Sequence, residues 1–268
     1  MIGRDLLRRW SREPRSIAIT PRVAARSHVG KVREINEDRF LVRSDQGLWA
    51  VADGMGGLAG GSEAAEAAIA ELAATTDHGE PVTEKAILAA FDRTNRKIRG
   101  DLGDKEARSG TTIVTAWLEG TRLTVFWIGD SRVYLIRRGS ARCLTHDHSV
   151  VQDLIDAGEI TLAEAARHPF AHLVTRALGA AQNVKADKVT IDLAVGDRLL
   201  LCSDGISRSL DTEEAAGSDA SLTLLADTLL DSALRRDGSD NATLVAIEIL
   251  AGSPPGPDAA PATVPAAS

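Results

Sequence analysis

The chain is predicted to fold as an α+β protein of stacked layers. Its strand candidates come in antiparallel pairs, and its helix candidates are bunched between those pairs instead of alternating with single strands. Three apolar stretches at hairpin spacing, 111–118, 123–128 and 133–137, carry the sheet signal. Two Ala-rich helical patterns, 62–75 and 82–99, precede them. No linker composition interrupts 21–250, so these residues are expected to form one domain.

Residues 1–20 begin MIGRDLLRRWSREPRS, with Ile2, Leu6 and Trp10 four apart among five arginines. As a helix this stretch is basic and amphipathic. A peripheral lead-in is the preferred reading, and docking to a membrane surface or partner is the other. Strands follow at 22–29 and 40–43, joined by a charged connection over 30–38. The rest is organised around 48–61, LWAVADGMGGLAGG, a buried strand that delivers Asp53 to its end and then breaks into glycines. Pro81 is expected to open the second helix, in which Ala86, Ala89 and Ala90 share one face and Ile87, Phe91 and Ile98 supply bulk. Residues 100–109 form a charged loop.

Among the hairpin strands, Gly120 marks the first turn, and Gly129-Asp130-Ser131 leaves a second carboxylate at a strand tip. From 145 to 179 the pattern becomes polar and irregular. Ser149 and Thr161 cap short helices there, Glu164 completes a capping box, and His168-Pro169 stops the second helix. Such an insertion between sheet segments is expected to be a surface lid. Strands at 188–193 and 197–203, a helix at 222–235 and a last strand at 242–250 complete the domain. The tail, 251–268, holds five of the nine prolines and no periodicity, which predicts disorder.

Composition narrows the function. Net charge is −7, which argues against a general nucleic-acid binder. No apolar run reaches signal-peptide or membrane-span length, so a cytoplasmic protein is expected. Cys143 and Cys202 share no metal-ligand spacing and read as buried free thiols of a reducing compartment. Aromatics are only 3%, leaving Leu, Ile, Val and Ala to fill the core.

Four strand ends carry an acid beside glycine or asparagine: Asp53-Gly54, Gly129-Asp130, Asp204-Gly205 and Asp240-Asn241. Each alone is ordinary turn chemistry. Their recurrence at the ends of apolar strands raises a second reading, in which the ends converge and the carboxylates need cations to stay ionised together. An all-oxygen donor set selects Mg²⁺, Mn²⁺ or Ca²⁺ over Zn²⁺. A dinucleotide turn built on Gly54, Gly56 and Ala59 competes weakly, because Asp53 would repel a pyrophosphate and no second acid stands at a strand tip about twenty residues on.

The blocks REINED (33–38), DGMGG (53–57), SGTT (109–112), GDSRVY (129–134), CSDG (202–205) and SDNAT (239–243), with the histidine-bearing insertion between them, resemble the PPM family in its compact bacterial form. These are metal-dependent (type 2C) serine/threonine protein phosphatases. The resemblance implies a four-layer sandwich, two central antiparallel β-sheets flanked by α-helices, with two or three Mn²⁺ or Mg²⁺ ions in the cleft. It implies that Asp53 bridges two metals, that the Gly54 carbonyl serves the second, and that Asp204 and Asp240 complete the first. Glu37 and Asp38 match acids that hold metal-bound water. Asp130, with Asp204, matches the ligands of a third metal, and Arg33 matches the phosphate-binding arginine. The implied reaction is direct attack by a hydroxide bridging two metals, without a phosphoenzyme. The implied partners are phosphorylated Ser/Thr proteins, a bacterial Ser/Thr kinase or its targets, met by a monomer.

The chain departs from the family at two places where relatives carry a histidine proposed as general acid: Met55 and Leu58 stand there. The proton for the leaving group is then expected from coordinated water or from His168 or His172 in the lid. A non-catalytic phosphoprotein-binding module on the same scaffold is the competing function. It usually loses ligand residues, and none of Asp53, Asp204, Asp240 and Arg33 is missing.

Overall fold

The computed structural model describes residues 18–56, 60–77, 80–101, 109–165 and 167–252. The expectations for the basic lead-in, Leu58, most of the 100–109 loop and the Pro-rich tail lie outside the described residues. No described helix is long and apolar enough to cross a membrane.

Two five-stranded antiparallel sheets form the centre. The first joins β1 (Ile19–His28), β12 (Ala242–Ala251), β11 (Arg198–Cys202), β8 (Arg132–Arg137) and β9 (Ser140–Cys143), in that spatial order. The second joins β10 (Asp187–Asp192), β7 (Arg122–Ile128), β6 (Ile113–Glu119), β3 (Leu48–Ala52) and β2 (Arg39–Arg43). Alternation along β3 shows why its run is apolar throughout. Trp49 and Val51 face the other sheet, while Leu48, Ala50 and Ala52 face the helices behind.

Between the sheets, Trp49, Val51, Val114 and Val125 pack against Val133, Leu199, Leu201, Val245 and Ile247. Behind the second sheet lie α1 (Gly60–Ala73) and α2 (Glu84–Asp101), whose Ala64, Ala68, Leu72, Ile87 and Phe91 meet Ile113 and Phe126. Behind the first sheet, α7 (Leu222–Arg236) and the short α5 (Asp204–Ser207) and α6 (Thr212–Gly217) set Ile206, Leu225 and Leu229 against Leu200 and Leu244. Helix, sheet, sheet and helix make four layers, the α+β sandwich expected. The small alanines of α1 let that helix sit close to its sheet, which compensates for the scarcity of aromatic bulk.

Several local expectations are corrected. The stretch expected as one strand from 111 breaks at Thr112: β5 (Gly110–Thr111) leaves the sheet to pair with β4 (Gly54–Met55). Thr83, whose Oγ1 accepts from the Ala86 amide, caps α2, so Pro81 precedes the helix instead of opening it. Strand β9 was hidden because its tight turn puts Arg138 and Gly139 at φ +52° and +71°, and an arginine is no turn signal. Cys143 lies on that edge strand and is exposed, whereas Cys202 is buried as expected. Within 145–179, α3 (Val150–Asp156) and α4 (Leu162–Ala165) form with the predicted caps.

Candidate metal centre

The strand ends meet at one edge of the sandwich. They border an open cavity of about 1000 Å³, lined by Arg33, Glu34, Glu37, Asp53, Gly54, Asp130, His172, Asp204, Arg208 and Asp240 among others. Six acids thus stand against two arginines, and an excess of negative charge at this density attracts cations. Asp38 lies behind them, only 3% exposed.

Each acid is positioned by backbone and hydroxyl contacts. The Asp53 carbonyl accepts from the Thr112 amide at 2.9 Å and from Thr111 Oγ1 at 3.0 Å, so the broken strand clamps the residue that ends β3. Thr112 Oγ1 also shares a 2.8 Å bond with Ser131 Oγ, linking Asp53 to the turn that carries Asp130. On the other side of that turn, His148 Nδ1 accepts from the Gly129 amide at 3.0 Å. Its proton therefore sits on Nε2, which donates to Asp187 at 3.1 Å, and burial lowers the pKa of the ring. Asn241 fastens the loop bearing Arg33 and Glu37. Its Oδ1 accepts from the Glu37 amide at 2.8 Å, and its Nδ2 donates to the carbonyls of Val29 and Ile35 at 2.8 and 3.0 Å.

Glycine is required at Gly54 by space. A Cβ there would stand 2.2 Å from the Gly61 carbonyl oxygen at the start of α1. Gly54→Ala is expected to destabilise the fold by about 1–3 kcal/mol through displacement of α1. Thermal unfolding of purified variant and parent checks this, and an unchanged melting temperature would refute it.

The electrostatics follow from this crowding. Burial first, then Asp38, Asp204, Asp130 and Asp240 in turn, push Asp53 well above the usual carboxylate range. Burial is also the main cause at Asp38 and Asp130, each raised to about 7, and it raises Asp204. Asp38 Oδ2 accepts from Ser203 Oγ at 2.8 Å, but its buried Oδ1 has no partner. A buried orphan oxygen facing further carboxylates is an arrangement that a divalent cation relieves.

Among the described residues, no three acidic, histidine or cysteine side chains already stand in a metal-holding arrangement. The arginines explain part of this. Arg33 contacts both carboxylate oxygens of Asp240 at 3.1 Å, and Arg208 bonds the Asp204 carboxylate one turn back in its own helix. A cation binding at either carboxylate would have to displace its guanidinium.

The two histidines expected as proton donors part company. His172 lines the cavity and acts electrostatically on Asp204. His168 does not reach it: its ring packs edge-on against Phe170 at 5.5 Å, and its Nδ1 accepts from the Phe170 amide. The geometry also reveals residues to which the sequence reading assigned no role. Thr112, Ser203 and Asn241 lay inside the motif blocks, and His148 lay in the polar lid segment. Only Arg208 carried no signal.

Residues 26–237 match the family Protein phosphatase 2C. The serine/threonine phosphatase stp of Listeria monocytogenes is 32% identical over 236 residues, covering 83% of this chain and 94% of that protein. The serine/threonine protein phosphatase PstP of Mycobacterium tuberculosis is 37% identical over 87% of this chain, which spans 46% of that protein. A crystal structure of the catalytic domain of PstP in complex with two manganese ions is similar at a TM-score of 0.75 and 35% identity, covering 87% of this chain and 99% of that one. Sequence blocks, layered fold and relatives agree: the chain belongs to the protein phosphatase 2C (PPM) family and is a serine/threonine phosphatase.

Proposed function

We propose that the protein is a Mn²⁺- or Mg²⁺-dependent phosphatase that removes phosphate from phosphoserine and phosphothreonine in proteins, opposing a bacterial Ser/Thr kinase by acting on the kinase or its targets. The observation that carries this reading is the cluster of buried and half-buried carboxylates lining one open cavity, with Arg33 beside them. Asp53 would bridge two cations, the Gly54 carbonyl would serve the second, and Asp204 and Asp240 would complete the first. Asp130 with Asp204 would hold a third, and Glu37 and Asp38 would orient coordinated water. Bound there, the cations supply a shared water acidified to hydroxide near neutral pH and positive charge for the phosphoryl oxygens.

The chain's own residues do the rest. Arg33, half-exposed and held to Asp240 by a two-point contact, presents a planar fork that suits two phosphate oxygens once Asp240 turns to a cation. His172, which lines the cavity, would protonate a departing serine or threonine oxygen. No nucleophilic cysteine or serine is needed, so phosphate leaves without a covalent intermediate. Residues 21–250 form the catalytic domain, with 145–179 as its flap, and the enzyme works as a cytoplasmic monomer.

Hydrolysis of a phosphothreonine peptide with Mn²⁺ and with EDTA tests the reading. Activity is expected only with the metal, and acid-quenched enzyme is expected to retain no ³²P. Activity in chelator, or none in Mn²⁺, overturns it. His172→Ala is expected to slow the phosphopeptide by about 10²-fold while leaving p-nitrophenyl phosphate nearly unchanged, because nitrophenolate leaves without a proton. His168→Ala should spare both substrates. Equal losses on both substrates in His172→Ala would remove that residue as the acid.

A further inference from the structure

A second cavity of about 610 Å³ opens beside the first and shares Asp130, His172, Asp204 and Arg208 with it. It runs between the lid, which supplies Ile155 and Leu162, and the α5–α6 segment, which supplies Ser209 and Leu210. A chain that presents a phosphorylated side chain to Arg33 and Asp53 must continue somewhere. This lobe is contiguous with that position, and an extended peptide advances only about 3.3 Å per residue.

The charges in the lobe differ in how firmly they are committed. Arg132 forks onto Asp147 with three contacts of 2.7–3.1 Å, so each satisfies the other. Asp130 and Asp204 lie on the shared edge, where the proposed cations sit. Asp237 caps the turn before the last strand by accepting from the Ser239 amide. Two guanidiniums remain. Arg208 holds Asp204, a partner it loses when that carboxylate takes a cation. Arg236 donates to the Ser209 carbonyl at 2.7 Å, which places it beside the residue following Arg208, and its nearest acids, Glu214 and Asp211, are 3.7 and 3.9 Å away. Neither acid is within good hydrogen-bonding range.

We propose that Arg208 and Arg236 form an anion subsite that takes a second negative group of the substrate, a carboxylate or another phosphate, a few residues from the phosphoserine or phosphothreonine being hydrolysed. This rests on the phosphatase reading and adds substrate selection to it. Ile155, Leu162 and Leu210 line the same lobe and give the rest of the peptide apolar surface beside the pair.

The test walks a single glutamate through a neutral phosphothreonine peptide, from four positions before the phosphothreonine to four after, and measures kcat/KM with Mn²⁺. One position, or two neighbours on the same side, is expected to raise kcat/KM about tenfold through KM. Phosphoserine at that position should gain more, because it carries more charge. Arg236→Ala should abolish the gain without changing the rate on the neutral peptide, and Arg236→Lys should restore part of it. Arg208→Gln should also abolish the gain. A flat profile, or a gain that survives in the Arg208→Gln/Arg236→Ala double variant, overturns the subsite while leaving the phosphatase reading intact. Failure to hydrolyse any peptide, the neutral one included, overturns both.

Discussion

Asp53→Asn is expected to abolish Mn²⁺-dependent hydrolysis and, at the same time, to make the metal-free protein harder to unfold at pH 7. The loss comes from removing the carboxylate that four other acids surround, and a fall in kcat/KM of at least about 10³-fold is expected. The gain has the same origin. Asparagine matches aspartate in shape but cannot ionise, so one member of a buried set of like charges is silenced. A stabilisation of about 1 kcal/mol, or about 2–4 °C in melting temperature, is expected for a domain of this size. Thermal unfolding in EDTA reads the second effect, and saturating Mn²⁺ should reverse the ranking because the parent alone gains full ligation. A variant no more stable than the parent in EDTA would show that the cluster carries no stored repulsion.

The second large effect is a dependence on acidity that the metal inverts. Asp38 and Asp130 are raised from 3.8 to about 7 by burial and neighbouring charge. Between those limits the folded chain keeps protons that the unfolded chain has released, so unfolding free energy falls as pH rises. The stabilising contribution is fully present below about pH 4 and is lost as pH climbs through about 7. Denaturant unfolding of the EDTA-treated protein should therefore show a loss of several kcal/mol across that window. Cation binding requires the ionised ligands and must expel their protons. Calorimetric titration with Mn²⁺ at pH 6, in buffers of different ionisation enthalpy, should report about one to two protons released per protein. Heats that do not vary with buffer would contradict this.

The layered fold and the acid cluster were legible because both have short-range signatures. Alternation or continuity of apolar residues marks a strand, and an acid followed by glycine marks its end. What could not be read was contact across the chain. Nothing in the order of residues says that Thr112 leaves its strand to clamp Asp53, or that the Asn241 side chain ties down the loop carrying Arg33. His148 looked like a lid residue, yet it is a buried brace under the Asp130 turn, because two bonds from its ring depend on elements 19 and 39 positions away. His168 and His172 share one stretch, and only the path of the chain after Pro169 separates the ring facing the cavity from the one against Phe170.

The antiparallel ladder between β1 and β12 pairs Ile19 with Ala251 and His28 with Ala242. A nascent chain emerging from the ribosome thus carries its first strand unpaired until its last strand arrives, and Asp240 enters just before that strand. Such long-range closure is slow, and the waiting edge is prone to aggregation. Catalytic competence is therefore acquired only after residue 251 has been made, and a chain cut short before residue 242 should be recovered as insoluble material without phosphatase activity.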